Sequence, residues 1–458
     1  MTTKQPSLVS KAKPIIGHAL EFAKNADGLI RRGKEEHGEI FAIRLLNKNT
    51  AVVNGADLHK FFYMETDNSL NMSNAYQMLE AAFGQVLFIA SEEAYENQKP
   101  LLQYVFSREK MAAYVQNIQY EVQRWLDSLG ESGEINITTE MQKLSQFVAG
   151  NAFLGADFRD ELGQDFWEAY AKIGESLDPI LPAHWPLPKF RRRDRAKETI
   201  RQTFRPMIAK RKQNPDQYDD LISQLLNTPQ KDGTILDDET IISLFMGLIF
   251  AGHETTAGQA AWLIYEIMAD HAFCRRIKAE VDIALPTGTQ INGKVLRGME
   301  QTYWAIDETT RLHPSAPLQM RIVKKDIELN GYTIPAGWMM MVHSANSHFD
   351  PEVWSDPEKF DPDRWSPERK EGKNAFDIIG FGGGKHKCSG MSFAKNEMAI
   401  IVGLLFQQFE LELLTDEVTT VLDLGAARPS EIIVRYRKKQ LETDNSKADF
   451  AFSTPEIA

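Results

Sequence analysis

Residues 381–390 read FGGGKHKCSG, and this stretch is the most informative segment of the chain for its fold and chemistry. Three successive glycines allow the backbone to approach a large flat group without obstruction by side chains. Cys388 follows them, and the apolar run at 391–405 has the pattern of a helix. A thiolate just before a helix is stabilised by backbone N–H groups and the helix dipole, and Lys385 and Lys387 add to this. The stretch indicates an activated cysteine. The alternative interpretation is a glycine-rich turn that contains a cysteine without a functional role.

The composition limits the classes of protein to consider. Of 458 residues, 43% are hydrophobic and 25% are charged, which is typical of a globular protein and not of a disordered chain. The formal net charge of −12 argues against nucleic-acid binding, because neutralising phosphates requires a basic surface. Cys274 and Cys388 are the only cysteines, which excludes a disulfide scaffold and a four-cysteine metal site.

No stretch of the sequence has the length and composition of a membrane span or a signal peptide. The longest apolar run, residues 241–252, is too short to cross a bilayer and is better interpreted as part of a buried helix. We therefore predict a soluble, cytoplasmic protein without a transmembrane anchor.

Helical periodicity dominates between about residues 84 and 278. The longest candidate helix runs from about 237 to 270, contains no proline and is apolar all round at its centre. Asp237 is placed to cap its first turn. The pattern predicts a long helix inside the protein.

Strand signals are confined to two regions, at about 37–60 and 320–345. The first predicts a hairpin, because apolar runs flank a short polar turn at 47–49. Nothing marks an internal boundary, so we predict one mainly α (α+β) domain over residues 1–441. Residues 442–458 are polar and are predicted to form a loose tail.

Four segments together resemble the cytochrome P450 family. The spacing F-x-x-G-x-x-x-C-x-G at 381–390 is similar to its haem-ligand loop, and residues 251–256 (AGHETT) to the oxygen-activating segment of its central helix. Residues 308–311 (ETTR) resemble its E-x-x-R motif, and 360–365 (FDPDRW) the loop whose arginine completes a buried ion triad. E-x-x-R alone is common by chance, so the ordered set carries the resemblance. It implies a P450-type fold, with a long central helix over the haem and small β-sheets.

Within this family, residues 14–438 are most similar to the sterol 14α-demethylase branch, with matches such as 190–195 (FRRRDR) and 434–437 (VRYR). The chain departs from it at three places. The branch usually has a histidine where this chain has Glu254, an acidic residue near Ile89, and a proline where this chain has Ala81 or Ala82. The resemblance therefore implies a monooxygenase acting on a terpenoid, steroid or other lipophilic substrate, with sterol 14α-demethylation as the alternative. A peroxygenase and a haem-based sensor are further alternatives.

The resemblance also implies roles for individual residues. Cys388 is the expected axial ligand of the iron of haem b, since thiolate ligation favours cleavage of the O–O bond. Glu254 and Thr255 are the expected acid–alcohol pair that relays protons, although Thr255 could instead bond only to a helix carbonyl. The other residues expected at the haem are Lys99, Arg321, His386, Phe381 and Gly252. Those expected to form the structural triad are Glu308, Arg311 and Arg364.

Partners follow from the same resemblance. A set of mainly apolar residues is expected to line the substrate pocket, although each also fits ordinary core packing: Tyr76, Phe83, Phe250, Ala251, Leu318 and Met320. Electrons are expected from NAD(P)H through a ferredoxin or flavodoxin, with O₂ as co-substrate. Lys385, Lys387 and Lys395 are predicted to form a docking patch for this acidic donor, or else only to solvate a surface loop. A monomer is expected.

Overall fold

The computed structural model describes residues 4–155, 158–178, 183–423 and 426–440, and the predicted tail at 442–458 lies outside these ranges. Sixteen α-helices occur in the described ranges. They are α1 (Ala19–His37), α2 (Ala56–Met64), α3 (Gln77–Phe83), α4 (Glu92–Val105), α5 (Arg108–Ser128), α6 (Ile137–Leu154), α7 (Phe158–Glu161), α8 (Gln164–Gly174), α9 (Pro188–Gln213), α10 (Leu221–Asn227), α11 (Asp238–Ala269), α12 (His271–Ala284), α13 (Gly293–Arg297), α14 (Glu300–Leu312), α15 (Ser344–Ser347) and α16 (Met391–Gln408).

Twelve short strands in the same described ranges form four sheets. They are β1 (Ile40–Leu45), β2 (Lys48–Val53), β3 (Leu70–Asn71), β4 (Ser132–Asn136), β5 (Leu318–Val323), β6 (Ile327–Leu329), β7 (Tyr332–Ile334), β8 (Met339–His343), β9 (Phe409–Leu413), β10 (Thr420–Asp423), β11 (Ala426–Pro429) and β12 (Ile433–Lys438). The largest sheet has the order β1-β2-β8-β5-β3, with β2 and β8 parallel. The others pair β4-β12-β9, β10-β11 and β6-β7. The predicted hairpin is confirmed, because β1 and β2 pair antiparallel around a tight turn.

Helix α11 is the predicted long helix, and its observed bounds lie within one residue of those predicted. The carboxylate of Asp237 accepts the N–H of Thr240 at 2.9 Å, which caps the first turn. In the described part of the chain, this is the one helix long and apolar enough to cross a membrane, but 72% of its most apolar window is buried in the protein. It is therefore a core helix, packed against α6, α14, α16 and β11.

The Cys388 loop joins two separate apolar cores. Ile379, before the loop, packs in the core beneath the five-stranded sheet. Phe393, in the first turn of α16, packs in the large core shared by the helices. The segment between them therefore spans the boundary between the sheet and the helices, and the site lies at this boundary.

Candidate active site

Hydrogen bonds within the loop hold Cys388 at the start of α16. Its N–H donates to the carbonyl of Phe381 at 2.9 Å. Burial raises the pKa of its thiol, whereas the N–H groups of Gly390 and Met391 and the charge of Lys387 act in the opposite direction. The cysteine is nevertheless exposed. The thiol therefore lies in a recess that a ligand can reach, with donors in place for a thiolate.

The glycines before Cys388 are required by packing against α2. A Cβ on Gly384 would lie 2.6 Å from the carbonyl oxygen of Tyr63, and one on Gly383 would lie 2.9 Å from the rings of Tyr63 and Phe376. Gly384 also has a φ of +63°, which few side chains tolerate. The sequence predicts that this run lets a large flat group approach the backbone. In the structure, the flat groups beside Gly383 are the rings of Tyr63 and Phe376.

Glu308, Arg311 and Arg364 form an ion triad with no exposed side-chain surface. Glu308 Oε1 lies 2.8 Å from Arg311 Nη2 and 2.9 Å from Arg364 Nε. Its second oxygen accepts the indole N–H of Trp365 at 3.1 Å. Arg364 also pairs with Glu371 at 2.6 Å. Every charge in the triad therefore has a partner, which a buried charge requires.

The site contains a buried cation and a buried imidazole nitrogen, and their contacts show whether an anionic cofactor fits the site. Arg321 is 1% exposed and donates to the hydroxyl of Thr66 at 3.1 Å, and no carboxylate of the described residues lies within ion-pair distance of it. His386 Nε2 contacts Asp67 at 2.8 Å, whereas its Nδ1 is buried without a hydrogen-bond partner in the described structure. A guanidinium without an acidic counter-ion and an imidazole nitrogen without a hydrogen-bond partner fit the propionate groups of a haem.

The remaining lysines near the loop are mostly paired with acids. Lys385 contacts Asp67 at 2.9 Å and Glu96 at 2.7 Å, and Lys395 pairs with Asp307. Lys99 lies 3.9 Å from Glu96 and is half-buried.

This pairing changes the predicted docking patch. Lys387 is exposed, whereas the charges of Lys385 and Lys395 are compensated by acids that the sequence pattern gave no reason to place beside them. The net positive charge of the patch is therefore smaller than the sequence predicted.

In the middle of α11, Thr255 forms a hydrogen bond to a helix carbonyl, which is the structural alternative to a role in proton relay. Thr255 Oγ1 donates to the carbonyl of Ala251 at 2.7 Å, and the Thr255 carbonyl accepts a hydrogen bond from Ser315 at 2.9 Å. A Cβ on Gly252 would meet no atom of the described residues within 4 Å. The helix therefore has free space beside Gly252. Its carbonyls at Ala251 and Thr255 accept hydrogen bonds from the Thr255 hydroxyl and from Ser315, respectively.

Glu254 and Thr255 contact different parts of the protein. Its carboxylate, in a residue that is 5% exposed, lies 3.4 Å from Gln142 Nε2 and 3.2 Å from His253 Nδ1. Successive residues of a helix point about 100° apart, and Gln142 belongs to α6. The predicted acid and alcohol are thus adjacent in sequence but have separate partners.

The residues predicted to line the substrate pocket fall into two groups. The rings of Phe83 and Phe250 lie 4.5 Å apart. The Tyr76 hydroxyl accepts the N–H of Met320 at 3.2 Å. Ala251 and Leu318 are half-buried. The first group connects α3 with α11, and the second connects the residues before α3 with β5.

His348 is a residue that the sequence analysis missed. It is fully buried, its Nδ1 contacts the carbonyl of Arg311 at 2.7 Å, and its Nε2 accepts the N–H of Ile379 at 2.8 Å. The imidazole thus links the triad helix α14 to the segment that leads into the Cys388 loop. No periodicity marks a lone histidine at the edge of a Pro- and Asp-rich loop, so sequence could not have identified it.

The family is decided by comparison with known sequences. A family profile described as Cytochrome P450 matches residues 7–433. This chain belongs to the cytochrome P450 family. It is a P450 monooxygenase, and the family implies a haem with a thiolate ligand, a substrate and a redox partner.

Relatives with known activities span nearly the whole chain of this P450. It is 30% identical over 451 residues to a sterol 14alpha-demethylase of Mycolicibacterium vanbaalenii, which covers 95% of this chain and 98% of the relative. It is 27% identical over 446 residues to the lanosterol 14-alpha demethylase of Homo sapiens, covering 95% and 87%. The resemblance to the sterol branch is thereby confirmed at the level of sequence similarity.

A solved structure confirms the fold. Retinoic acid bound cyanobacterial CYP120A1 superimposes with a TM-score of 0.83 at 24% identity, covering 96% of this chain and 100% of that one. The predicted mainly helical P450 fold with small β-sheets is correct.

Proposed function

We propose that this P450 inserts one oxygen atom of O₂ into a C–H bond of a terpenoid, steroid or other lipophilic molecule. The second oxygen atom leaves as water, and the reaction consumes two electrons and two protons. The observation that carries the proposal is the apolar pair Phe83–Phe250, with rings 4.5 Å apart, within about 8 Å of Thr255 along the axis of α11. An apolar wall and a hydroxyl on the same buried helix suit a hydrocarbon substrate and a proton-consuming reaction.

We assign the binding of haem b to residues of the loop and of β5. Cys388 provides the thiolate ligand, and Arg321 and His386 provide the partners of the propionates, with Lys99 at the edge. Phe381 closes the ligand loop through its carbonyl, and Gly252 leaves room on the α11 side. When bound, the haem supplies O₂ binding and redox chemistry that no side chain can supply.

Proton delivery is assigned to Thr255 and Glu254. Thr255 Oγ1 donates to Ala251 in the resting arrangement, and its lone pairs can accept a hydrogen bond from water or from a protonated donor. The Glu254 carboxylate lies 3.2 Å from His253 Nδ1, which has no hydrogen-bond partner among the described residues. Rotation of the Glu254 side chain away from Gln142 would bring the carboxylate to Thr255, where it can pass a proton to the hydroxyl.

Sterol 14α-demethylation is the second candidate, and the similarity to the two demethylases supports it. The departures at Glu254 and Ile89 weigh against it. Glu254 is a carboxylate held by Gln142, and Ile89 is a buried apolar residue where that branch has an acid. We therefore favour hydroxylation.

We propose that NAD(P)H supplies the electrons through a ferredoxin or flavodoxin that docks near Lys387. A cytoplasmic location is proposed with it, since such donors and their reductases are soluble.

The proposal is tested by turnover of the holoenzyme with a reductase, NAD(P)H and isotope-labelled O₂ on a panel of sterols, steroids and terpenoids. We expect products with one labelled hydroxyl. Cleavage of the 14α-methyl group of a lanosterol-type sterol, with release of formate, would favour the demethylase instead. Turnover driven by hydrogen peroxide without a reductase would favour a peroxygenase, and no oxidised product from any lipophile would overturn the proposal.

A further inference from the structure

Three cations lie at four-residue spacing on one face of α9, and the middle one has no acidic partner. Arg193 and Arg201 each form an ion pair with a neighbouring acid, at 2.8 and 2.7 Å. Lys197, between them, donates from Nζ to the backbone carbonyl of Ala81 at 2.8 Å. Within the described ranges, no carboxylate lies within ion-pair distance of Lys197.

The acidic side chains near Lys197 already form ion pairs with the two arginines. Asp194 pairs with Arg193, and Glu239 pairs with Arg201. Lys197 is half-buried, and burial, followed by the charges of the two arginines, lowers its pKa. A half-buried ammonium held only by a neutral carbonyl would gain from a negatively charged partner.

Lys197 forms a polar wall of a narrow cleft between α3, α8, α9 and α11. The free volume of the cleft is about 30 Å³, which accommodates one or two waters or a small polar group. Most of the remaining lining is apolar and includes Phe83, Ile173, Ile200, Ile242 and Met246. Its other polar members are Ser243 and the ion pair Arg201–Glu239, in which the arginine compensates the charge of the carboxylate. Because Phe83 also contacts Phe250, the apolar lining continues from the cleft along α11 to Phe250.

We propose that Lys197 binds the carboxylate of a lipophilic carboxylic acid substrate, a proposal that rests on the proposed monooxygenase function. The ammonium exchanges the carbonyl of Ala81 for the carboxylate, which forms the stronger charge-assisted hydrogen bond. The cleft takes only the carboxylate, and the hydrocarbon displaces the packed rings of Phe83 and Phe250 to lie along α11. The spacing from Ile242 to Thr255 corresponds to about 20 Å along the helix. Oxidation therefore occurs at the end of the molecule far from its carboxylate.

Optical titration of the ferric holoenzyme with acid–ester pairs tests this inference. The probes are palmitic and abietic acids and their methyl esters, which differ within each pair only in the charged group. We expect the wild type to bind at least one acid more tightly than its ester. Lys197→Met should weaken binding of that acid about ten- to a hundredfold and leave the ester within about twofold, whereas Lys197→Arg should retain most of the preference. Lys210→Met, an exposed lysine on the same helix, is the matched control and should not change either affinity.

Two results would overturn the inference. One is a wild type that does not prefer either acid, including the absence of any spectral shift. The other is an equal loss for acid and ester in Lys197→Met, because Lys197 would then only tie α9 to α3. The proposed function would survive both results if neutral terpenoids or steroids are still hydroxylated, so the two failures are distinguishable.

Discussion

The two sides of the site are built in different ways. The cysteine side is fixed by buried charges and short hydrogen bonds: the triad around Glu308, the bridge through His348 and the loop bond from Cys388 to Phe381. The α11 side is formed mainly by apolar packing, such as Phe83 on Phe250, beside the polar contacts of Thr255 and Glu254.

Buried polar groups tolerate few alternatives, because each unpaired charge is costly. Apolar side chains of similar volume replace one another at lower cost. From this difference we expect the cysteine side to determine whether the protein can hold its cofactor, and the α11 side to determine which molecule is oxidised. Substitutions on the two sides should therefore fail in different ways.

The largest effect is expected on the cysteine side, from Glu308→Ala. It leaves Arg311 and Arg364 buried without their shared carboxylate, at a cost of about 3–5 kcal/mol in the free energy of unfolding. We expect little folded protein and little haem uptake, measured by denaturant unfolding and by haem absorbance. Glu358→Ala removes an exposed acid, with a side chain 66% exposed, that pairs with Arg31, and should cost roughly 0–1 kcal/mol. Similar stability of the two variants would show that the triad is not a structural requirement.

A large effect without unfolding is expected on the other side, from Thr255→Ala. Loss of the hydroxyl should reduce product formation by about 10²-fold, with the electrons diverted to hydrogen peroxide, while folding and haem content stay normal. The measurement is the ratio of product to NAD(P)H consumed. Thr255→Ser keeps the hydroxyl and should retain most of the coupling. An unchanged ratio in Thr255→Ala would mean that the bond to Ala251 is its whole role.

The same contrast explains what sequence could predict. The ends of α11 were predictable because Asp237 caps the helix and the apolar run has no proline. The triad could be found because the resemblance supplied its three charged residues, whose burial demands mutual pairing. The direction of Glu254 could not be predicted, since it depends on Gln142 of α6. Nor could the packing of the glycine run on Tyr63, because no pattern in the chain marks a contact between such distant segments.

Acid should weaken the cysteine side through His348. Burial lowers the pKa of this imidazole to about 3, whereas in the unfolded chain it is about 6.5. As the pH falls below about 6.5, the unfolded chain binds a proton that the folded protein does not, so the free energy of unfolding decreases. Buried His59, His253 and His343, whose pKa values are also lowered, add to this loss.

Denaturant unfolding between pH 8 and pH 5 measures the effect. His348→Gln should be less stable at pH 8 but lose less stability on acidification than the wild type. His271→Gln, at an exposed histidine, should follow the wild type. A pH slope in His348→Gln as steep as in the wild type would refute the assignment.

The smallest effect is expected at the surface of the cysteine side. Lys387 is exposed, whereas Lys385 and Lys395 are paired with acids. Lys387→Glu should slow reduction by an acidic donor severalfold at low salt, and the difference should vanish at high salt as the charges are screened. Stopped-flow reduction measures this, with Lys48→Glu, at the exposed start of β2, as the control. Equal reduction rates for Lys387→Glu and the wild type at every ionic strength would show that the donor does not dock at this surface.

The central claim is that the sulfur of Cys388 binds the haem iron, and the carbonyl adduct of the reduced protein tests it directly. We expect the wild type and Cys274→Ser to show the long-wavelength Soret band that thiolate ligation gives, and Cys388→Ser to lack this band and all monooxygenase turnover. A wild-type adduct that absorbs like a histidine-ligated haem, or a Cys388→Ser protein that keeps the thiolate band, would contradict the account.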